Sequence, residues 1–371
     1  MILTGCCESM RAQHMGGSGR GMDVQLPEPP NRPRAAPVLA RLQKFVVANY
    51  LLLAFAFAIS LAMAWPVPGR AVAAPQVASV HTVQAVNNFL VFLISGLTLR
   101  PKEVKAAFKH WPGAAYGLVA ILGITPCLGF AARRVGLHPE EFSIGLAIFC
   151  VVPTTLGVGV ALTATAKGNQ ALALFLTVAT NFLAVATTPF LLQAVLSGSG
   201  RVNVDPVNLV VKLIITVLVP TALGLLTCAA SQRIASWVQQ HKVAMGLFSH
   251  TNLAMIIWQS LSGARNVLVA QSLVSFVLVL IATVLQHVIY ICFNAMVVVL
   301  LRIPVREAIA ALIMSSQKSA PVAVASIAYL SQESSVQGLM SLPAILGQTA
   351  QIFIGSGLVI GLRRLAKEPQ E

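Results

Sequence analysis

Runs of about twenty apolar residues recur along almost the whole chain, and they leave few folds open. A run of that length crosses the bilayer core as a helix, because lipid offers the backbone no hydrogen-bond partners. Ten such windows can be read, at roughly 45–65, 79–99, 112–132, 142–165, 170–194, 207–229, 247–264, 270–300, 308–330 and 340–362. Composition agrees, since 57% of the 371 residues are hydrophobic and 10% are charged, against about 25% charged in a soluble domain. Mean hydropathy is +0.81. The expectation is an all-α polytopic membrane protein of about ten transmembrane helices. The seventh window is diluted by His250, Thr251, Asn252, Gln259 and Ser260, and the eighth is long enough to tilt. Residues 231–245, with Arg233, Trp237, His241 and Lys242, read as an interfacial helix or a wet connector, the connector being preferred.

Residues 1–44 differ in kind. Gly16–Gly19 and Pro27, Pro29, Pro30, Pro33 and Pro37 point to disorder. The arginines there permit an organellar transit peptide, although serine occurs only at Ser9 and Ser18. No apolar stretch precedes Phe45, which argues against a cleaved secretory signal. Of six cysteines, Cys127, Cys150, Cys228 and Cys292 fall in spans as small core residues, and Cys6-Cys7 reads as an exposed pair or a palmitoylation site. There is no CxxC or Cys/His metal spacing, so no metal centre and no cofactor are expected.

Basic residues set the orientation. Arg70, Arg133, Arg134, Arg201 and Arg265 lie on one side, Lys212 and Lys318 lie within spans, and the remaining lysines and arginines share the other side with both termini. That side is therefore cytoplasmic in type, or stromal in a plastid. The net charge of +14 is an orientation signal and does not call for nucleic acid. The expected surroundings are a lipid bilayer.

Ten spans divide into two fives, residues 45–197 and 205–364, around the polar joint Ser197–Pro206. An odd number per half inverts the second repeat relative to the first. The fourth and ninth spans then hold equivalent places, and each is interrupted by polar residues and a proline, at Pro153–Gly157 and Ser315–Pro321. Paired breaks of this kind mark inverted-repeat transporters with a midplane site. Pro126, Pro189 and Pro220 read as ordinary kinks, and Thr163 and Thr165 as hydroxyls bonded to their own helix.

Lys318 lies mid-span, about 15 Å of helix from either end, too far for its stem to reach the interface. All eleven acidic residues lie away from span centres, so no carboxylate is available at the midplane. Three roles stay open for this lysine. It neutralises the C-terminal ends of half-helices in place of a cation, it attracts an organic anion, or it titrates. The first two rank above proton coupling.

The stretch Ser95–Pro101, then Phe149–Leu156, Lys167–Asn169, Thr177–Asn181 and Ser315–Ser319, together resemble the bile acid:sodium symporter family. The last stretch resembles its lysine-bearing, SBF-like branch, which includes plant plastid proteins described as probable sodium/metabolite cotransporters. The resemblance implies two inverted five-helix repeats arranged as panel and core domains, with broken helices four and nine crossing in the core. It implies sodium as coupling ion, with Thr177 and Gln317 matching sodium-holding positions. It also implies a chloroplast envelope location. This chain departs from the sodium-coupled pattern at Ile313, where a glutamate is expected, and at Gly157 and Val158. The candidate binding residues are Thr154, Thr155, Thr177, Asn181, Ser316, Gln317, Lys318 and Ser319.

An enzyme is not expected, since the chain has no HExxH, no GxSxG and no pair of membrane aspartates. The leading expectation is secondary active transport of a small organic anion. The alternative is a non-transporting regulator of ion homeostasis on the same fold.

Overall fold

The computed structural model describes residues 42–43, 45–47, 49–77, 80–99, 111–155, 157–197, 202 and 204–366. The segment 1–44 with its Cys6-Cys7 pair, the Arg100-Pro101 end of the first motif, the joint 198–201, Leu156 and the extreme C-terminus lie outside them, apart from Leu42 and Gln43. The chain divides into Met1–Phe45 and Val46–Glu371, and the second unit carries the fold.

Its elements are α1 Tyr50–Ala64, α2 Pro66–Ala73, a two-residue antiparallel pair β1 Gln76–Val77 and β2 Val80–His81, then α3 Thr82–Thr98. There follow α4 Trp111–Ala132, α5 Glu140–Val151, α6 Val158–Thr165, α7 Gln170–Leu196 and α8 Pro206–Ala230. The remainder is α9 Gln232–Gln240, α10 Lys242–Val269, α11 Leu273–Leu300, α12 Val305–Ser316, α13 Ala320–Leu330 and α14 Ser334–Leu365. Among the described residues, six segments are long and apolar enough to cross a membrane, counting α12 and α13 as one, or seven if the bent pair α1–α2 is taken as one span. The chain is an integral membrane protein.

Local chemistry explains most boundaries. Asn169 caps α7 by accepting from Leu172 N at 3.1 Å, and Asp205 caps α8 by accepting from Val207 N and Asn208 N at 3.1 and 3.2 Å. Between α1 and α2 the chain bends by 100° at Trp65, which precedes Pro66 and is held out of the helical region. Pro66 then opens α2, where a missing N–H costs nothing. Residues 231–245 are not the expected connector. Ser231 accepts from Ile234 N and starts α9, which buries Val238 while Ile234 and Trp237 stay exposed. The seventh and tenth segments are longer than expected, running over Lys242–Val269 and Ser334–Leu365, and the tenth gains its first turn with Gln337 as a buried polar side chain.

Close approach at glycines fixes the packing. A Cβ on Gly96 would stand 2.1 Å from Thr221 O, which pins α3 against α8. One on Gly145 would stand 2.1 Å from Met340 O, pinning α5 against α14. α10 packs on α1, α2, α3 and α14 and so lies centrally among them.

Candidate functional site at the meeting of two broken helices

α5 ends at Val151 because Pro153 forces the preceding Val152 into extended backbone, with ψ 156°. The helix resumes as α6 at Val158. In the second half, α12 ends at Ser316, Gln317 to Ser319 are extended, and α13 restarts at Ala320 with Pro321 in its first turn. The two gaps touch. Ser319 N donates to Pro153 O at 3.0 Å, and Thr154 Oγ1 donates to Met314 O at 2.6 Å. Asn181 Nδ2, from α7, donates to Thr154 O at 3.1 Å and to Thr177 O at 2.8 Å.

Lys318 is fully buried. Its Nζ donates to Val152 O at 3.0 Å and to Ile121 O at 3.4 Å, and it lies 5.6 Å from the ring centroid of Tyr290. No ion pair to it occurs among the described residues. Both acceptors are carbonyls at breaks in their helices, and Ile121 O also accepts from Thr125 Oγ1 at 3.4 Å. Val152 caps the end of α5, where the dipole leaves partial negative charge. Ile121 belongs to a π-turn, Ala120–Ile124, in which Thr125 N reaches back to Ala120 O. In that register the donor for Ile121 O would be residue 126, and Pro126 has no N–H. Pro126 is therefore more than the ordinary kink its sequence context suggested, since it frees an acceptor for Lys318.

The eight candidate residues do not all play one part. Thr154, Lys318 and Ser319 tie the two broken helices together, and Asn181 ties the first gap to α7. Ser316 accepts at Oγ from Asn294 Nδ2, 3.2 Å away, while its carbonyl accepts from His287 Nδ1 at 3.0 Å. Gln317 Nε2 donates to Gln351 O at 3.3 Å, leaving its Oε1 without a partner. Thr177 bonds its own helix at Ala173 O, one turn before Asn181. Thr155 faces a crevice that the other seven do not line. It lines a crevice of about 470 Å³ together with Gly157, Val158, Pro321 and Gln348. Lys242 and Thr98 line the same crevice, so it opens toward the side of the basic loops. Lys318 does not line it.

Several residues of the site carried a signal that single-position reading misses. On α11, Gln286, His287, Tyr290 and Asn294 form a buried polar stripe at helical spacing. Tyr290 OH donates to Thr125 O at 2.9 Å, and Tyr116 OH donates to Asn294 Oδ1 at 2.6 Å. On α14, Gln348 Oε1 accepts from Ala320 N at 3.1 Å and Gln351 Oε1 from Lys318 N at 3.0 Å. Those two glutamines cap the restart of the second broken helix from outside. Spacing alone marks both stripes in the sequence; their partners lie far away along the chain.

A sequence profile of the SBF-like CPA transporter family matches residues 49–364. The Probable sodium/metabolite cotransporter BASS4, chloroplastic, of Arabidopsis thaliana is 32% identical over 98% of this chain and 82% of its own length. The protein of the same name from Oryza sativa subsp. indica is 33% identical over 86% of this chain and 77% of its own. Sodium/bile acid cotransporter 7 of Rattus norvegicus is 25% identical over 75% of this chain and 82% of its own length.

Proposed function

Starting from the fact that the chain belongs to the SBF-like CPA transporter family, we propose that it is a secondary active transporter of a small organic anion. Transport proceeds by alternating access, and the ammonium of Lys318 stands where a coupling cation would otherwise bind. The observation that carries this reading is the position of Lys318 Nζ. It sits on two freed carbonyls where the broken helices meet, behind a crevice and not within it. A lysine that attracted substrate would have to line the crevice, so the structural role is favoured over that one.

The architecture we assign is ten transmembrane helices in two inverted repeats, residues 45–197 and 205–364. α5/α6 and α12/α13 are the broken fourth and ninth helices of the core. α1, α2, α3, α8 and α10 form the panel. Support comes from the equivalent placing of the two breaks and from the packing of α3 on α8 and α10. Substrate sits in the crevice at Thr155 and Gln348, beside the open N-terminus of α6, whose amides favour an anion. Sodium, the ion in the relatives' names, has Thr177 and Gln317 here but Ile313 in place of the expected carboxylate. That argues for transport with little sodium dependence. The plastid envelope is the location we assign, on the chloroplastic names of the relatives at 32% and 33% identity.

Uptake of labelled pyruvate, other small carboxylates, sulfate conjugates and a bile acid into proteoliposomes tests the proposal. At least one anion is expected to enter against empty-liposome controls. No entry of any of them, from folded protein, would favour the non-transporting regulator.

A further inference from the structure

Thr155 and Gln348 make one part of the crevice wall, and α10 supplies another. Lys242, Gly246, Ser249, His250 and Leu253 line it. Of these, Lys242, Gly246 and His250 stand at steps of four, on one face of the helix. At about 1.5 Å of rise per residue, that face runs about 12 Å inward from Lys242 at the basic end to His250. Leu253, one turn further, is the last residue of α10 to reach the crevice. Gly246 leaves the backbone bare between lysine and histidine, with nothing within 4 Å of where a Cβ would stand. Gly157, which lines the crevice near Thr155, has the same open space.

His250 differs from the polar residues that follow it. Thr251 Oγ1 donates to Leu247 O at 2.9 Å and meets Tyr50 OH at 2.8 Å, and Asn252 Nδ2 donates to Phe248 O at 2.8 Å. Those side chains are satisfied by their own helix and by α1. His250 has no such bond, and its Nδ1 is buried without a partner. Buried polar atoms are nearly always paired, so an unpaired ring in a cavity wall points to a group that the cavity receives. The crevice also leaves that group's charge uncontested. No aspartate or glutamate lines it among the described residues, and the ammonium of Lys242 is the formal charge its wall carries.

We propose that His250 is a second anchoring residue for the anion and that the cargo is a small dicarboxylate. One carboxylate is held at Thr155 and Gln348. The other accepts a hydrogen bond from the His250 ring, and Lys242 at the mouth draws the dianion in. Resting on the transport reading above, this narrows the cargo from a small organic anion to one with acidic groups at both ends. The bare backbone at Gly246 leaves room for the carbons that link them. A monocarboxylate fills one place and leaves the ring unmet.

Equilibrium binding to the purified chain tests this without reading flux, so protein that binds but does not transport would fail the reading above and leave this one standing. Succinate is compared with butyrate, which has the same carbon count and one carboxylate, and glutarate with pentanoate. In wild type, at least one dicarboxylate should bind about tenfold or more tighter than its counterpart, as one charge-assisted hydrogen bond allows. His250→Gln should bring that ratio to about one. A second variant guards against misfolding. Gly246→Leu places its side chain in open space, so the unfolding temperature should hold while dicarboxylate binding is lost. Wild-type ratios of about one, no binding of any of the four, a ratio kept in His250→Gln, or dicarboxylate binding kept in Gly246→Leu would each overturn the inference.

Discussion

An ammonium moved from water into a protein interior loses several kcal/mol of hydration. At Lys318 that loss is offset by two charge-assisted hydrogen bonds, of about 1.5–3 kcal/mol each, and by the face of Tyr290. Neither acceptor would be free in an unbroken helix. Val152 O is released by the break at Pro153, and Ile121 O by the π-turn ahead of Pro126. A prediction follows for Pro126, which is not itself among the candidate residues. Pro126→Ala supplies an N–H that recaptures Ile121 O and regularises the turn, so Lys318 loses one acceptor. The variant should insert normally while its thermal stability gains nothing from the better helix former and its flux falls several-fold, for a lost bond of about 1–2 kcal/mol. Flux equal to wild type would show that Ile121 O is dispensable to the lysine.

At the scale of elements, the breaks were legible because proline acts locally. Pro153 holds Val152 out of the helix, Pro321 has no N–H for a carbonyl four residues back, and the gaps they leave fall within the interruptions the sequence marks. The stripe Gln286, His287, Tyr290 and Asn294 was not legible as part of the site. Its partners Thr125, Tyr116 and Ser316 stand 165, 178 and 22 residues away from the groups they bind. Helix α9 differs from the expected connector for a related reason: Arg233 and the flanking His241 and Lys242 mark the segment as wet, and its single buried anchor, Val238, gives no periodic signal. Glycine positions separate packing from function within one broken helix. Gly145→Ala forces a Cβ onto Met340 O and should lower the unfolding temperature, at a cost of roughly 1–3 kcal/mol. Gly157 has open space around it, so Gly157→Ala should leave stability unchanged. Equal unfolding temperatures for the two would contradict the packing of α5 on α14.

The whole molecule brings these levels together as a crevice that opens to the basic side and, where the broken helices meet, a buried lysine on two backbone carbonyls, which we propose serves as a fixed cation. A site that uses a covalently attached cation has no need to load one from solution. That is the central claim, and sodium dependence tests it most directly. Counterflow of a transported carboxylate should be compared in sodium and in choline, for wild-type protein and for Lys318→Ala at equal abundance. Wild-type flux should be the same in both salts. Lys318→Ala should be strongly impaired in choline and partly restored by sodium, which takes up the freed carbonyls of Val152 and Ile121. Wild-type flux that requires a sodium gradient, with Lys318→Ala transporting normally in choline, would contradict the account.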